Sequence, residues 1–124
     1  MILDAGFLVS VDRGEPGARA FLTAAQRSQV ALHTTHPVVA QVWRDGAIQA
    51  RLTRFLGSVT VHPFDDGPTV GHLLAAAATS DVVDAHLVTL ALRLDDAILT
   101  GDTADLERLA GAIPTRRPEI HAWP

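Results

Sequence analysis

Thr79–Asp105 reads TSDVVDAHLVTLALRLDDAILTGDTAD. Val83, Leu87, Leu90 and Leu94 recur at helical spacing, so a helix is expected over Val82–Leu94. Ala97–Thr100 is a short apolar run without polar alternation, which suits a strand buried on both faces. A further helix is expected from Thr103 to Ala110. Helix, buried strand and helix in succession point to a parallel sheet covered by helices. Four of the acids in this stretch are candidate site carboxylates: Asp81, Asp84, Asp102 and Asp105.

Toward the amino end the same alternation continues. Ile2–Leu3 opens a strand that stops at Asp4, and a brief helix spans Phe7 to Val11. A turn-rich break, Asp12 to Gly17, precedes a helix from Gly17 to Arg27 with Ala18, Phe21, Leu22 and Ala25 on one face. Ser28–Thr34, with Val30, Ala31 and Leu32, reads as a second strand. Thr34 or Thr35 then caps a helix over Pro37–Arg44, with Pro37 in its first turn and Val38, Val39 and Val42 turned inward. A helix over Asp45–Leu56 places Ile48, Leu52, Phe55 and Leu56 in a core stripe, and Gly57 closes it. Ser58–His62 is a third strand, Thr69–Thr79 an Ala-rich helix, and the segment around Ile120 a last edge strand. The expectation is a single α/β domain over 1–124.

Composition narrows the function. The 124 residues are 48% hydrophobic, enough to bury a core without covalent staples. With no cysteine there is no thiolate nucleophile, thiolate metal site or disulfide, as suits a cytoplasmic protein. No apolar run is long enough for a membrane span. A net charge of −4 argues against a general basic surface for nucleic acid, while an acidic site that faces phosphate through a metal ion stays compatible. All ten basic residues are arginine, which removes P-loop and amine chemistry.

In parallel α/β sheets, sites form beyond the carboxyl ends of the strands. Asp4 ends the first strand and Asp102 lies two residues past the fourth. Asp84 falls in the first turn of a helix that begins near the same edge. Each acid also has a plain structural use: Asp81 as an N-cap, Asp84 against the helix dipole, Asp102 and Asp105 as caps of the last helix. Their shared location favours a site. Clustered carboxylates without histidine partners suit a hard cation, Mg2+ or Mn2+, which activates water and neutralises a scissile phosphate. The six histidines show no His-x3-His pair, and surface roles are expected for them.

The chain resembles the PIN-domain family, specifically VapC-type ribonuclease toxins of type II toxin–antitoxin systems. The resemblance rests on LDAG (Leu3–Gly6), PVVAQVWRDG (Pro37–Gly46), SDVVDAHLVTLA (Ser80–Ala91) and LTGDTADLERLA (Leu99–Ala110), with a Trp123-Pro124 tail. It covers nearly the whole chain. It implies a PIN-like three-layer α/β/α domain with a short central parallel sheet, magnesium-dependent endonucleolytic cleavage of tRNA or rRNA, and a homodimer. It also implies a VapB-like antitoxin that blocks the site and alone contacts DNA. By position, Asp4, Asp84 and Asp102 match the family's catalytic, metal-binding acids, and Asp105 is auxiliary.

One position departs from the family pattern: Gln41 stands where a Glu is usual. An amide oxygen can hold a metal-bound water but brings no charge and no base. Two readings follow, an active nuclease using the remaining acids, helped by Asp81 or Asp105, or a weakened PIN-fold module that binds RNA or protein without cutting. Thr100 or Thr103 is a candidate hydrogen-bond partner of a carboxylate or phosphate. Arg44 is a candidate contact to RNA or antitoxin, beside Arg51 and Arg54 on one arc if one helix carries all three. Trp43 is expected in the core or a dimer interface. The apolar positions between Phe21 and Phe55 exceed the needs of one small core and suggest a partner groove. A receiver domain would need a lysine, and a haloacid-dehalogenase-like phosphatase would need an acid where Gly6 stands; neither fits.

Overall fold

The structure, a computed structural model, describes residues 1–124. Twelve elements follow one another: β1 (Ile2–Leu3), α1 (Ala5–Asp12), α2 (Pro16–Arg27), β2 (His33–Thr35), α3 (His36–Val42), α4 (Ala50–Leu56), β3 (Thr60–His62), α5 (Gly67–Ala77), α6 (Val82–Leu94), β4 (Ile98–Thr100), α7 (Thr103–Gly111) and β5 (Ile120–Ala122). The strands form one five-stranded sheet in the order β3-β2-β1-β4-β5, and every pairing is parallel. The chain builds leftward from β1 through β2 to β3, then crosses to β4 and builds rightward. Its strand order therefore reverses between β1 and β4, the place where an open parallel sheet leaves a crevice.

Helices α1 to α4 pack among themselves, and α5, α6 and α7 form the other group. The buried cluster draws on both groups and on the central strands: Ile2, Leu3 and Ile98 from the sheet, Phe7 and Leu8 from α1, Leu87 and Leu90 from α6, Leu106 and Leu109 from α7. Both residues of β1 and all three of β4 are buried, which accounts for their unbroken apolar sequence. Around Phe7, the rings of Phe21, Phe55 and Trp123 pack edge-on at 5.1, 6.0 and 4.8 Å between centroids. Trp123 Nε1 donates to the buried Ser10 hydroxyl at 3.0 Å, tying the last strand's exit to α1.

Several expected boundaries are corrected. The second strand begins at His33, not Ser28. Gln29 takes φ +55° and Val30 N–H bonds back to Ala25 C=O at 2.9 Å, so the chain is still leaving α2 where a strand was expected. The third helix stops at Val42, and the fourth begins at Ala50 rather than Asp45. Between them Asp45 Oδ1 accepts from Ala47 N–H at 2.9 Å, a side-chain turn that competes with helix. Ile48, expected in the core, is 79% exposed as a result. Arg44 consequently shares no helix with Arg51 and Arg54. Trp43 is exposed and packs over Gly46, where a Cβ would come within 2.8 Å of its ring. Smaller shifts place β3 at Thr60 and α5 at Gly67–Ala77.

Candidate active site

Asp4 leaves β1 in extended conformation and caps α1: its Oδ1 accepts from Ala5 N–H at 2.7 Å. Its Oδ2 accepts from the hydroxyl of Thr100, the last residue of β4, also at 2.7 Å. Thr100 is buried, and its hydroxyl oxygen accepts in turn from Asp102 N–H at 3.0 Å. One side chain thus couples the ends of the two strands that flank the crevice. Gly6 and Gly101 let those ends approach: a Cβ on Gly6 would sit 3.2 Å from Gly101 backbone atoms. Thr34 reinforces the same edge, donating from its buried hydroxyl to Leu3 C=O at 2.8 Å.

Asp81 is the N-cap of α6, its Oδ1 accepting from Asp84 N–H at 3.0 Å. That bond holds Asp84 in the first helical turn, half-buried. The Asp84 carboxyl is pushed up to about 7. Burial is the largest cause, followed by the charge of Asp81, the charge of Asp4, a hydrogen bond with Asp81, and the charge of Asp105. Asp4, Asp81, Asp84 and Asp105 therefore share one electrostatic neighbourhood. Asp102 is exposed on its lip; it stands at the N-cap position of α7 but makes no side-chain capping bond. Gln41 is exposed on α3. Arg44 turns its guanidinium onto the end of that helix, donating to Ala40 C=O at 3.3 Å and Trp43 C=O at 2.7 Å.

Hard oxygen donors and mutual carboxylate repulsion are the chemistry a divalent cation relieves. No three Asp, Glu or His side chains, however, close around one point as a ligand group. The fit to Mg2+ or Mn2+ is one of donor type and charge, without a preformed cage.

A distinct concavity lies elsewhere. A groove of about 1080 Å3 runs along α2 toward α4, beside the segments leading into β2 and β3. It is therefore toward the amino ends of those strands, opposite the acids. Leu22, Leu32 and Phe55 line it, and Arg19, Arg51 and Arg54 stand along it. A hydrated ion does not need a cavity of this size, whereas a helix or strand of a partner does.

Three features escaped the sequence. The Gly6–Gly101 approach was signalled only by a glycine shortly after each strand. A His33–His62 contact, Nδ1 to Nε2 at 3.0 Å, joins residues 29 apart and carries no local pattern. His86, expected at the surface, is buried at 1% exposure with its Nε2 3.3 Å from Asp65 Oδ1.

The switched parallel sheet with helices on both faces and acids at its crevice defines a PIN-like α/β domain. A chain of the crystal structure of VapBC2 from Rickettsia felis, bound to a DNA fragment from their promoter, has this fold. It superposes with a TM-score of 0.73 over 99% of this chain and 98% of its own, at 14% sequence identity. No protein-family model matches the sequence, and no curated protein does.

Proposed function

We propose that this chain is a metal-dependent endoribonuclease of the VapC type, hydrolysing RNA phosphodiester bonds and restrained by a VapB-like antitoxin. The observation that carries the reading is the convergence of Asp4, Asp81, Asp84 and Asp105 at the β1/β4 crevice. Crowding and burial there push one carboxyl up to about 7. Packing gains nothing from such an arrangement, and a cation relieves it.

Asp4 and Asp84 would hold the ion from the floor of the crevice, with Asp102 on its lip. When bound, Mg2+ or Mn2+ supplies Lewis-acid stabilisation of phosphate charge and an acidified water. The residues themselves do the positioning. Thr100 fixes the Asp4 carboxylate through Oδ2, and Ala5 N–H fixes it through Oδ1. Asp81 holds the Asp84 backbone. Asp105 adds charge, and Gln41 is left as a neutral outer contact.

The fold likeness to a VapBC2 chain and the groove support the antitoxin. The groove's apolar floor suits the apolar face of a helix, and none of Arg19, Arg51 and Arg54 pairs with a carboxylate of this chain. An amphipathic segment with an acidic flank satisfies both features. A homodimer and RNA of the tRNA or rRNA class complete the proposal on the family resemblance.

The second reading is a PIN-fold module that binds without cutting. Gln41 in place of Glu and the lack of a closed three-ligand group favour it. The test is cleavage of a mixed tRNA and rRNA pool by purified, antitoxin-free protein in Mg2+, Mn2+ or EDTA, alongside Asp4→Asn. Metal-dependent fragments lost in the variant support the nuclease. Intact RNA under both metals, with the protein folded, favours the binding module, and Gln41→Glu then asks whether the missing carboxylate is the reason.

A further inference from the structure

His33 stands at the start of β2 and His62 at the end of β3, and the two strands pair in parallel register from His33↔Thr60 to Thr35↔His62. Residues two apart on a strand share a face, which brings the two imidazoles together diagonally across the pair. Their ring nitrogens meet at 3.0 Å, and both side chains are half-buried. A hydrogen bond between two ring nitrogens needs one donor and one bare acceptor. If both rings are protonated, the bond is lost and two cations face each other. No third histidine or carboxylate completes a metal site there.

β3 has little else to hold it. It is an edge strand of three residues, and none of them belongs to the buried core. Its attachment is the backbone ladder to β2, the histidine contact, the partly buried Val59 before it and, after it, Phe64 against the His86 ring at 4.9 Å and Asp65 against His86 and Arg93. Low burial at an edge is the signature of a segment that opens locally before the whole protein does. The chain leading into β3, Gly57–Thr60, also forms one wall of the groove.

We propose that the His33–His62 contact is an acid-sensitive latch that holds edge strand β3, and with it that wall of the groove, against the sheet. The charges around the pair do not cancel its response. Met1's amino group and Asp96 face His33 with opposite signs, while Arg93 and His86 oppose a proton on His62 and Asp65 favours one. Asp65 is already engaged by His86 and Arg93, each at 3.3 Å.

Both imidazoles titrate below their ordinary 6.5: His33 through burial and then the charge of His62, His62 through burial and then the charge of Arg93. Just below pH 6.5 the unfolded chain therefore holds more protons at these groups than the folded one. The latch's contribution is present above that pH and is lost as pH falls through the lowered values.

The latch extends the partner-groove reading, but its test uses no partner. Hydrogen exchange of the Thr60–His62 amides, corrected for intrinsic rate, is followed from pH 7.5 to 5.0 in the wild type, His62→Gln and His33→Gln. Glutamine can keep a hydrogen bond to the remaining imidazole but cannot titrate. Wild-type β3 should lose protection as pH falls, relative to α6 amides. Both variants should be nearly flat. Flat wild-type protection, or an equal loss in all three proteins, would overturn the latch and leave the groove's partner untouched.

Discussion

Asp84 is where the protein places its electrostatic load. Its carboxyl is near 7 in the fold and 3.8 by its ordinary value, so between those pH values the folded state holds a proton that the unfolded chain has released. Stability from this group is greatest at low pH and is lost as pH rises from about 4 to 7, the reverse of a salt-bridged aspartate. Because the side chain is half-exposed, screening reduces the effect to about 1–2 kcal/mol. With EDTA present, thermal melts of the wild type from pH 5 to 7.5 should decline relative to Asp84→Asn. The variant should be the more stable of the two at pH 7.5. Parallel curves would mean that Asp84 is not under this strain. The neighbouring Thr100 makes a second prediction. Thr100→Val keeps the shape but removes a donor to Asp4 and an acceptor for Asp102 N–H, a loss of about 1–3 kcal/mol. Its Mn2+ affinity, read by calorimetry, should fall while the circular dichroism spectrum is unchanged; unaltered affinity would remove Thr100 from the positioning of Asp4.

At the scale of elements, the turn between α3 and α4 depends on Gln49. Its amide is buried; Oε1 accepts from Arg44 N–H at 2.7 Å and Asp45 N–H at 2.9 Å, and Nε2 donates to Val42 C=O at 2.9 Å. Gln49→Ala strands these groups and should cost about 2–3 kcal/mol in urea unfolding. The exposed Gln41→Ala should cost less than about 0.5 kcal/mol; similar costs for both would show that Gln49 does not hold the turn. This turn also shows where sequence reading stops. Ile48 fits the helical spacing of Leu52 and Phe55, yet a side chain one residue away, bonding to backbone upstream, decides that no helix passes through it. Val30–Leu32 looks like a strand, but a left-handed Gln29 delays pairing to the polar His33–Thr35. By contrast β1, β4 and α6 were legible because burial on their faces is written directly in apolar runs and helical spacing. Asp4 and Asp84 followed from those elements. The Thr100 bridge was legible only as a candidate, since its partner lies 96 residues away.

The whole molecule separates two surfaces across its sheet. Acids gather at the carboxyl ends of the paired strands β1 and β4, and the arginine-rimmed groove opens toward the amino ends of β2 and β3. With a net charge of −4, this groove is a local exception of positive sign, and charge of that kind steers a partner more than it tightens the final complex. The consequence can be measured with the VapB-like antitoxin that the proposed function calls for. Arg51→Glu combined with Arg54→Glu should slow association by at least about tenfold at low salt, and the gap should narrow as salt rises. The same variant should retain whatever RNA cleavage the wild type shows, because both residues lie away from Asp4 and Asp84. Loss of cleavage with association intact would instead place the RNA path along the groove. The antitoxin would then have to reach the acids by another route.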